Sequence, residues 1–248
     1  MPWSLRVNSL VRVRPLRGLV RRVAERVVPG GLWFEVARTR FMDDVMRDEL
    51  AAGAGQLVIL GAGFDSRAYR FRELLEGVGV FEVDHPATSR LKRERLRKIF
   101  GELPSHVRYV EVDFETDDLG ERLAEAGYDD TGRTLFLWSG VAPYISDDAV
   151  GAVLSFVGAR SGAGSAIVFD YVFREFLDGD DGFYGAAQLR KSVERQGEPF
   201  RSGVPKGAIG SFVEEHGLAL SQSLLADDVT DLGGPMIDCG GICVARKP

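Results

Sequence analysis

The feature that most narrows what this chain can fold into is the run Leu57-Val58-Ile59-Leu60-Gly61-Ala62-Gly63, an unbroken apolar stretch that stops in a Gly-x-Gly turn. A short apolar run ended by glycine reads as a strand buried on both faces, and such strands belong to parallel sheets covered by helices. Val80-Phe81-Glu82-Val83-Asp84 follows as a second strand, ending in an acid about 20 residues beyond the turn. Glycines let backbone N–H groups come close to a ligand, and a carboxylate at that spacing can accept both hydroxyls of a ribose. Together they predict a ligand of adenosine type at the carboxyl edge of the sheet.

The pattern continues along the chain. Apolar runs bounded by turn residues predict strands over 56–60, 79–83, 107–112, 134–138, 165–171, 218–224 and 239–245. Amphipathic stretches between them predict helices over 66–76, 86–100, 117–127, 146–159 and 206–216, with Ser146 and Asp147 offering an N-cap. Strand alternating with helix gives an α/β fold with a seven-stranded, mostly parallel sheet and helices on both faces. Two segments fall outside the alternation. Residues 1–50 read as two helices forming an N-terminal cap ahead of a main domain over 51–248. Residues 172–205 read as an irregular, lid-like insertion broken by Gly179, Gly182, Gly185, Gly197, Pro199, Gly203 and Pro205. Insertions at the carboxyl edge of a parallel sheet form lids and binding walls, so substrate recognition is expected in these two segments.

At 248 residues and 45% hydrophobic content the chain suits one large α/β domain. No apolar run approaches the roughly 18 residues a membrane span needs. A formal charge of -6 argues against nucleic acid or another polyanion as partner; the oligomeric state stays open. The first 26 residues carry Arg6, Arg12, Arg14, Arg17, Arg21, Arg22 and Arg26 against Glu25 alone. Such starts also serve as organelle transit peptides, but Leu16, Leu19, Val20, Val23 and Val27 recur at helical spacing and predict a helix laid on the domain. The only cysteines, Cys239 and Cys243, have no histidine nearby, so they read as buried thiols in a cytoplasmic protein without a metal site.

The dinucleotide fingerprint wants a third glycine three residues after the second, close under a pyrophosphate, and that position is Ser66. A cofactor without a pyrophosphate fits better, which favours S-adenosylmethionine over NAD.

The motifs Ala37-Arg38-Thr39-Arg40-Phe41-Met42-Asp43-Asp44, Leu60-Gly61-Ala62-Gly63-Phe64-Asp65-Ser66-Arg67-Ala68, Phe81-Glu82-Val83-Asp84-His85-Pro86, Val112-Asp113-Phe114 and Trp138-Ser139-Gly140-Val141-Ala142-Pro143-Tyr144-Ile145 follow in order, with Gly197-Glu198-Pro199-Phe200 later. In this series, from about residue 33 to the C-terminus, the chain resembles the leucine carboxyl methyltransferase family. It is closest to the bacterial branch of class I S-adenosylmethionine-dependent O-methyltransferases of secondary metabolism. The resemblance implies a Rossmann-like class I methyltransferase fold. It implies that Arg40, or its neighbour Arg38, pairs with the cofactor's methionine carboxylate. By the same likeness Gly61 and Gly63 approach the methionine moiety and Asp84 binds the ribose, with Glu82 on the same side of the strand as a further ligand or a structural acid. Asp113 accepts from the adenine amino group, or caps a turn, while the Phe114 backbone N–H meets a ring nitrogen.

Ser139 departs from the family, which places a glutamate there in a Glu-Gly-x-x-x-Tyr pattern. A serine cannot neutralise a cation; losing a charge-assisted bond of ~1.5 to 3 kcal/mol lowers affinity by one to two powers of ten. A carboxylic acid acceptor arrives ionised, whereas a phenol profits from a general base. Candidates for catalytic work are Tyr144, His85 and Arg201, with Tyr171 and Arg174 as further possible substrate contacts. His106 reads as a loop residue and His216 as a helix end before Gly217. This scarcity of bases favours a carboxylate acceptor. Besides a small-molecule O-methyltransferase, the sequence leaves open a protein carboxyl methyltransferase and a non-catalytic, repurposed protein of the same fold.

Overall fold

The computed structural model describes residues 14–229 and 231–248. Arg6 and Arg12, and the packing of Leu16, Leu19 and Val20, lie outside the described residues.

Helix α1 (Arg14–Val27) and helix α2 (Gly31–Ala51) precede the first strand, β1 (Gln56–Leu60). The other strands are β2 (Gly79–Asp84), β3 (Val107–Glu111), β4 (Thr134–Trp138), β5 (Ala166–Val172), β6 (Ala219–Leu224) and β7 (Gly240–Arg246). They form one seven-stranded sheet in the order β3-β2-β1-β4-β5-β7-β6. Strands β1 to β5 run parallel, and β7 is antiparallel to both β5 and β6. The chain leaves β1 for β2 on one side and returns to β4 on the other. That reversal opens a crevice beyond the carboxyl ends of these strands, where ligands of open α/β sheets sit.

Period-two alternation divides the apolar side chains between the faces. Val58, Leu60, Phe81, Phe136, Trp138 and Phe169 face a layer made by α5 (Leu119–Glu125), α6 (Asp147–Ala159) and α9 (Ile209–Glu214). Leu57, Ile59, Val80, Leu135, Leu137 and Val168 face Met42 and Met46 of α2. Both methionines are fully buried, so α2 is a layer of the core. Glu49, near its end, accepts from Arg133 at 2.9 Å and from Arg246 of β7, tying the helix to the last strand.

The strand ends agree with the sequence pattern to within a residue. Ser146 caps α6, its Oγ accepting from Ala149 N–H at 3.2 Å. Among the described residues no helix is long and apolar enough to cross a membrane. Other expectations need correction. The helix expected over 66–76 is only α3 (Arg67–Arg70), continued by successive turns. Helix α9 is shorter than expected at both ends. The insertion is not irregular throughout: it holds α7 (Arg174–Leu177) and α8 (Ala186–Gln196). Gly185 and Gly197, expected to break the segment, cap α8 at φ 77° and 73°. The apolar side of α1 is incompletely covered, with Val23 and Val27 42% and 52% exposed. The helix between His85 and Gly101, α4 (Pro86–Phe100), has the expected bounds.

Candidate cofactor site

Beyond the ends of β1, β2 and β4 lies an open cleft of about 970 Å³, at the upper end of what small-molecule sites occupy. The glycine turn forms its floor. Gly61 has φ 59°, and a Cβ there would stand 2.3 Å from Val141 Cγ2, so both conformation and packing demand glycine. Gly63, at φ 43°, lines the cleft, and a Cβ there would meet only the Gly61 carbonyl oxygen, at an ordinary 3.7 Å.

The turn is fastened to β2. Ala62 N–H donates to the Val83 carbonyl at 2.9 Å, and Gly63 N–H donates to Asp84 Oδ2 at 2.5 Å. The other oxygen of Asp84 accepts from His85 N–H at 2.7 Å. Burial pushes the Asp84 carboxyl above its ordinary range, although both N–H donors and the nearby Lys92 pull the other way. Asp113 and Phe114 line the cleft beyond β3. Asp113 also organises a turn, accepting from Glu115 N–H at 3.1 Å. Glu82 lies one pleat below Asp84, 2% exposed, paired with Lys92 at 2.9 Å and accepting from Tyr69 at 2.8 Å. It is a structural acid outside the cleft lining.

His85, Tyr144 and Arg201 also line the cleft. His85 is committed to structure: its Nδ1 accepts from Ala87 N–H at 3.3 Å, capping α4. Nε2 stands 3.9 Å from Asp113 Oδ2. The Tyr144 phenol is pushed up by burial and packs on Phe200 with ring centroids 4.8 Å apart. Arg201 straps the end of the insertion to this wall; its N–H donates to the Pro143 carbonyl at 2.7 Å and its guanidinium pairs with Glu115 at 2.5 Å.

Ser139 lines the cleft with no carboxylate to offer. Next to it, Gly140 N–H donates to Asp170 Oδ1 at 2.6 Å. Asp170 Oδ2 accepts from Arg38 Nη1 at 2.8 Å, and Arg38 Nη2 reaches Glu35 at 2.6 Å. Burial works against the guanidinium's charge, but the two carboxylates more than offset it. Gly140, at φ 68°, permits this approach, since a Cβ would lie 3.0 Å from Arg38 Nη1. Arg40 does not reach the site: it is exposed on α2, and two helical positions turn it to the side opposite Arg38. A side pocket of about 100 Å³ shares Gly140 and Tyr144 with the cleft, and its walls include Phe34, Arg38, Leu189, Phe200 and Cys239. Tyr171 lines this pocket, whereas Arg174 is tied to Asp147 at 2.8 Å and lines neither cavity. Both cysteines are buried, and among the described residues no group of His, Cys, Asp or Glu could hold a metal ion.

Two features went unread in the sequence. Arg67, 6% exposed, joins Asp65 of the glycine turn to Asp43 of α2 through contacts of 2.5 and 2.7 Å. Asp170 stands inside the all-buried run of β5; a lone acid in such a run was the available signal.

The family model for leucine carboxyl methyltransferase matches residues 21–158. The chain is 33% identical over 197 residues to a Bacillus subtilis protein named "Putative S-adenosyl-L-methionine-dependent methyltransferase YktD", covering 79% of this chain and 64% of that one. It is 38% identical over 130 residues to the Streptomyces coelicolor protein SCO7813, named likewise, covering 52% of this chain and 45% of that one. This chain thus spans between two fifths and two thirds of the length of such relatives. Among solved structures, mitomycin 7-O-methyltransferase MmcR superimposes with a TM-score of 0.53 at 20% identity, covering 84% of this chain and 55% of that one. The S-adenosylmethionine-dependent methyltransferase SibL in its apo form gives 0.52 at 18% identity, covering 96% and 61%. These structural likenesses concern the fold, that of class I methyltransferases.

Proposed function

The chain belongs to the leucine carboxyl methyltransferase family, and from that premise we propose that it is an S-adenosylmethionine-dependent O-methyltransferase acting on a small-molecule carboxylate. The observation that carries the reading is the clasp of Gly63 N–H on Asp84 at the strand-order reversal. It fixes a carboxylate, held by the backbone N–H groups of Gly63 and His85, where the ribose of an adenosine-type ligand would lie. The residues present fit the cofactor: the glycine turn lays backbone rather than side chain along the cleft floor, and the cleft is large enough.

When bound, S-adenosylmethionine supplies an electrophilic methyl carbon on a sulfonium. Asp84 would hold the ribose hydroxyls, Asp113 the adenine amino group and the Phe114 N–H a ring nitrogen. Arg38, in place of Arg40, would take the methionine carboxylate, releasing Glu35, whose side chain is 57% exposed. Ser139 adds a hydrogen bond but no charge, and Glu198 at the cleft wall is an acid able to offset that loss.

The chain's part in the transfer is alignment and exclusion of water. The side pocket, meeting the cleft at Gly140 and Tyr144, is where the acceptor's apolar body would sit, walled in part by helix α2 and the insertion. His85 Nδ1 is engaged in capping and burial keeps Tyr144 protonated. An acceptor already ionised at neutral pH suits such a site better than a phenol that must lose a proton. Ser139 favours a second reading, a protein that binds the cofactor without transferring its methyl group.

Incubation with methyl-labelled S-adenosylmethionine and a panel of carboxylic acids and phenols tests the proposal. Methyl esters are expected. Ethers alone would overturn the acceptor class, and tight S-adenosylhomocysteine binding without transfer to any acceptor would favour the second reading.

A further inference from the structure

Lys92 is 4% exposed, and its ammonium lies 2.9 Å from Glu82, itself 2% exposed. A buried ion pair is a weak source of stability, because desolvation of both charges offsets their attraction. Its placement is more informative. Lys92 Nζ also donates to the Ala62 carbonyl at 3.3 Å. That carbonyl and the Gly63 N–H belong to one peptide unit, and the Gly63 N–H is the group that donates to Asp84 Oδ2. A planar peptide held at its oxygen from below and at its hydrogen from above cannot rotate without breaking one of the two bonds.

We propose that Lys92 is a positioning residue for the cofactor site: from beneath the sheet edge it locks the Ala62–Gly63 peptide and thereby fixes the carboxylate of Asp84 toward a ribose diol. Glu82 keeps the ammonium in place, and Tyr69, donating to Glu82 at 2.8 Å, keeps Glu82 in place. The Ala62 carbonyl accepts from Asp65 N–H as well, at 2.7 Å, so the same oxygen sets the next bend of the turn. The proposal rests on the reading of the cleft as an adenosine-type cofactor site.

Lys92 also acts on Asp84 through its charge, favouring the ionised carboxylate that a diol needs. The ionisable groups around Asp84 are Lys92 from α4, His85 at the cap of that helix, Glu82 on its own strand, Glu111 opposite it on β3, Asp113 beyond β3 and Asp65 in the glycine turn. Of these, Lys92 is the cation buried beneath it.

The test uses S-adenosylhomocysteine as probe, with calorimetric titration across pH and thermal melting as the folding control. The variant E82L/K92M replaces the ion pair by apolar groups; E82Q/K92M, which keeps a partner for Tyr69, serves if the first does not fold. A folded variant is expected to melt within a few degrees of the unmodified protein and to bind the probe about tenfold more weakly. The acid limb of its binding curve should move to higher pH. Adding D84N to the variant should cost less affinity than D84N costs alone, because both substitutions disable one device. Unchanged affinity in a folded variant, or losses that add in full, overturns the proposal. Failure of the unmodified protein to bind the probe overturns the cofactor reading itself, and this inference with it.

Discussion

Asp84 accepts two backbone N–H groups and still lines the cleft, so the direction of its carboxylate is set before any ligand arrives. Preorganisation of this kind makes a hydrogen bond to a charged group worth about 1.5 to 3 kcal/mol. D84N is therefore expected to weaken S-adenosylhomocysteine binding by ten- to a hundredfold in a calorimetric titration. The pH dependence has a definite sign. Burial raises this carboxyl above its ordinary 3.8, so binding is complete above the raised value and is lost as pH falls through it. The acid limb should lie above that of a solvent-exposed aspartate. The two arginines of α2 give a paired test. R38M should weaken the same ligand by one to two powers of ten, whereas R40M, on the exposed side of the helix, should leave the dissociation constant within about twofold. Equal losses from both would contradict the assignment of Arg38.

Helix α2 shows how an element links the site to the frame. Through Asp43 it holds Arg67 of α3, which in turn holds Asp65 of the glycine turn, and through Glu49 it holds Arg133 and Arg246. Burial raises the Glu49 carboxyl, but the hydrogen bonds and charges of Arg246 and Arg133 more than offset this and leave it below its ordinary 4.5. A carboxyl with a depressed folded-state pKa contributes stability that is present above its unfolded value and lost as pH falls through the folded one. E49Q should lower stability by about 1 to 2 kcal/mol at neutral pH in urea titration, modest because both guanidiniums remain about a third exposed. The variant should also lose less stability than the parent as pH falls below 4.5. The strands were legible because runs such as Leu57 to Leu60 and Leu135 to Trp138 are apolar without interruption. The insertion was not, because glycine signals a break and a cap alike: Gly185 and Gly197 bracket a helix rather than dissolve one. The arginine choice on α2 was undecidable in sequence, since the partner that singles out Arg38 is Asp170, 132 residues away. Lys92 was hidden for a similar reason, its contacts with Glu82 and Ala62 existing only once the sheet and α4 are assembled.

At the scale of the molecule, the parallel sheet supplies the cleft proposed for the cofactor, while segments outside the alternation, α2 and the insertion with α8, help wall the adjoining side pocket. This division predicts that donor and acceptor recognition can be altered separately. F200A enlarges the side pocket away from the glycine turn, so it should raise KM for the acceptor, or widen the range of acceptors methylated, while S-adenosylhomocysteine affinity changes less than threefold. The partition fails if F200A costs donor affinity as heavily as D84N does. The central claim is that the edge of the sheet from Gly61 to Ser139 is built around an adenosyl sulfonium donor. Calorimetric titration of the unmodified protein with S-adenosylhomocysteine, with NAD as control, tests this most directly. Saturable one-to-one binding of S-adenosylhomocysteine, abolished or much weakened in D84N and absent with NAD, is the predicted result. No heat with S-adenosylhomocysteine, or preference for NAD, would contradict it.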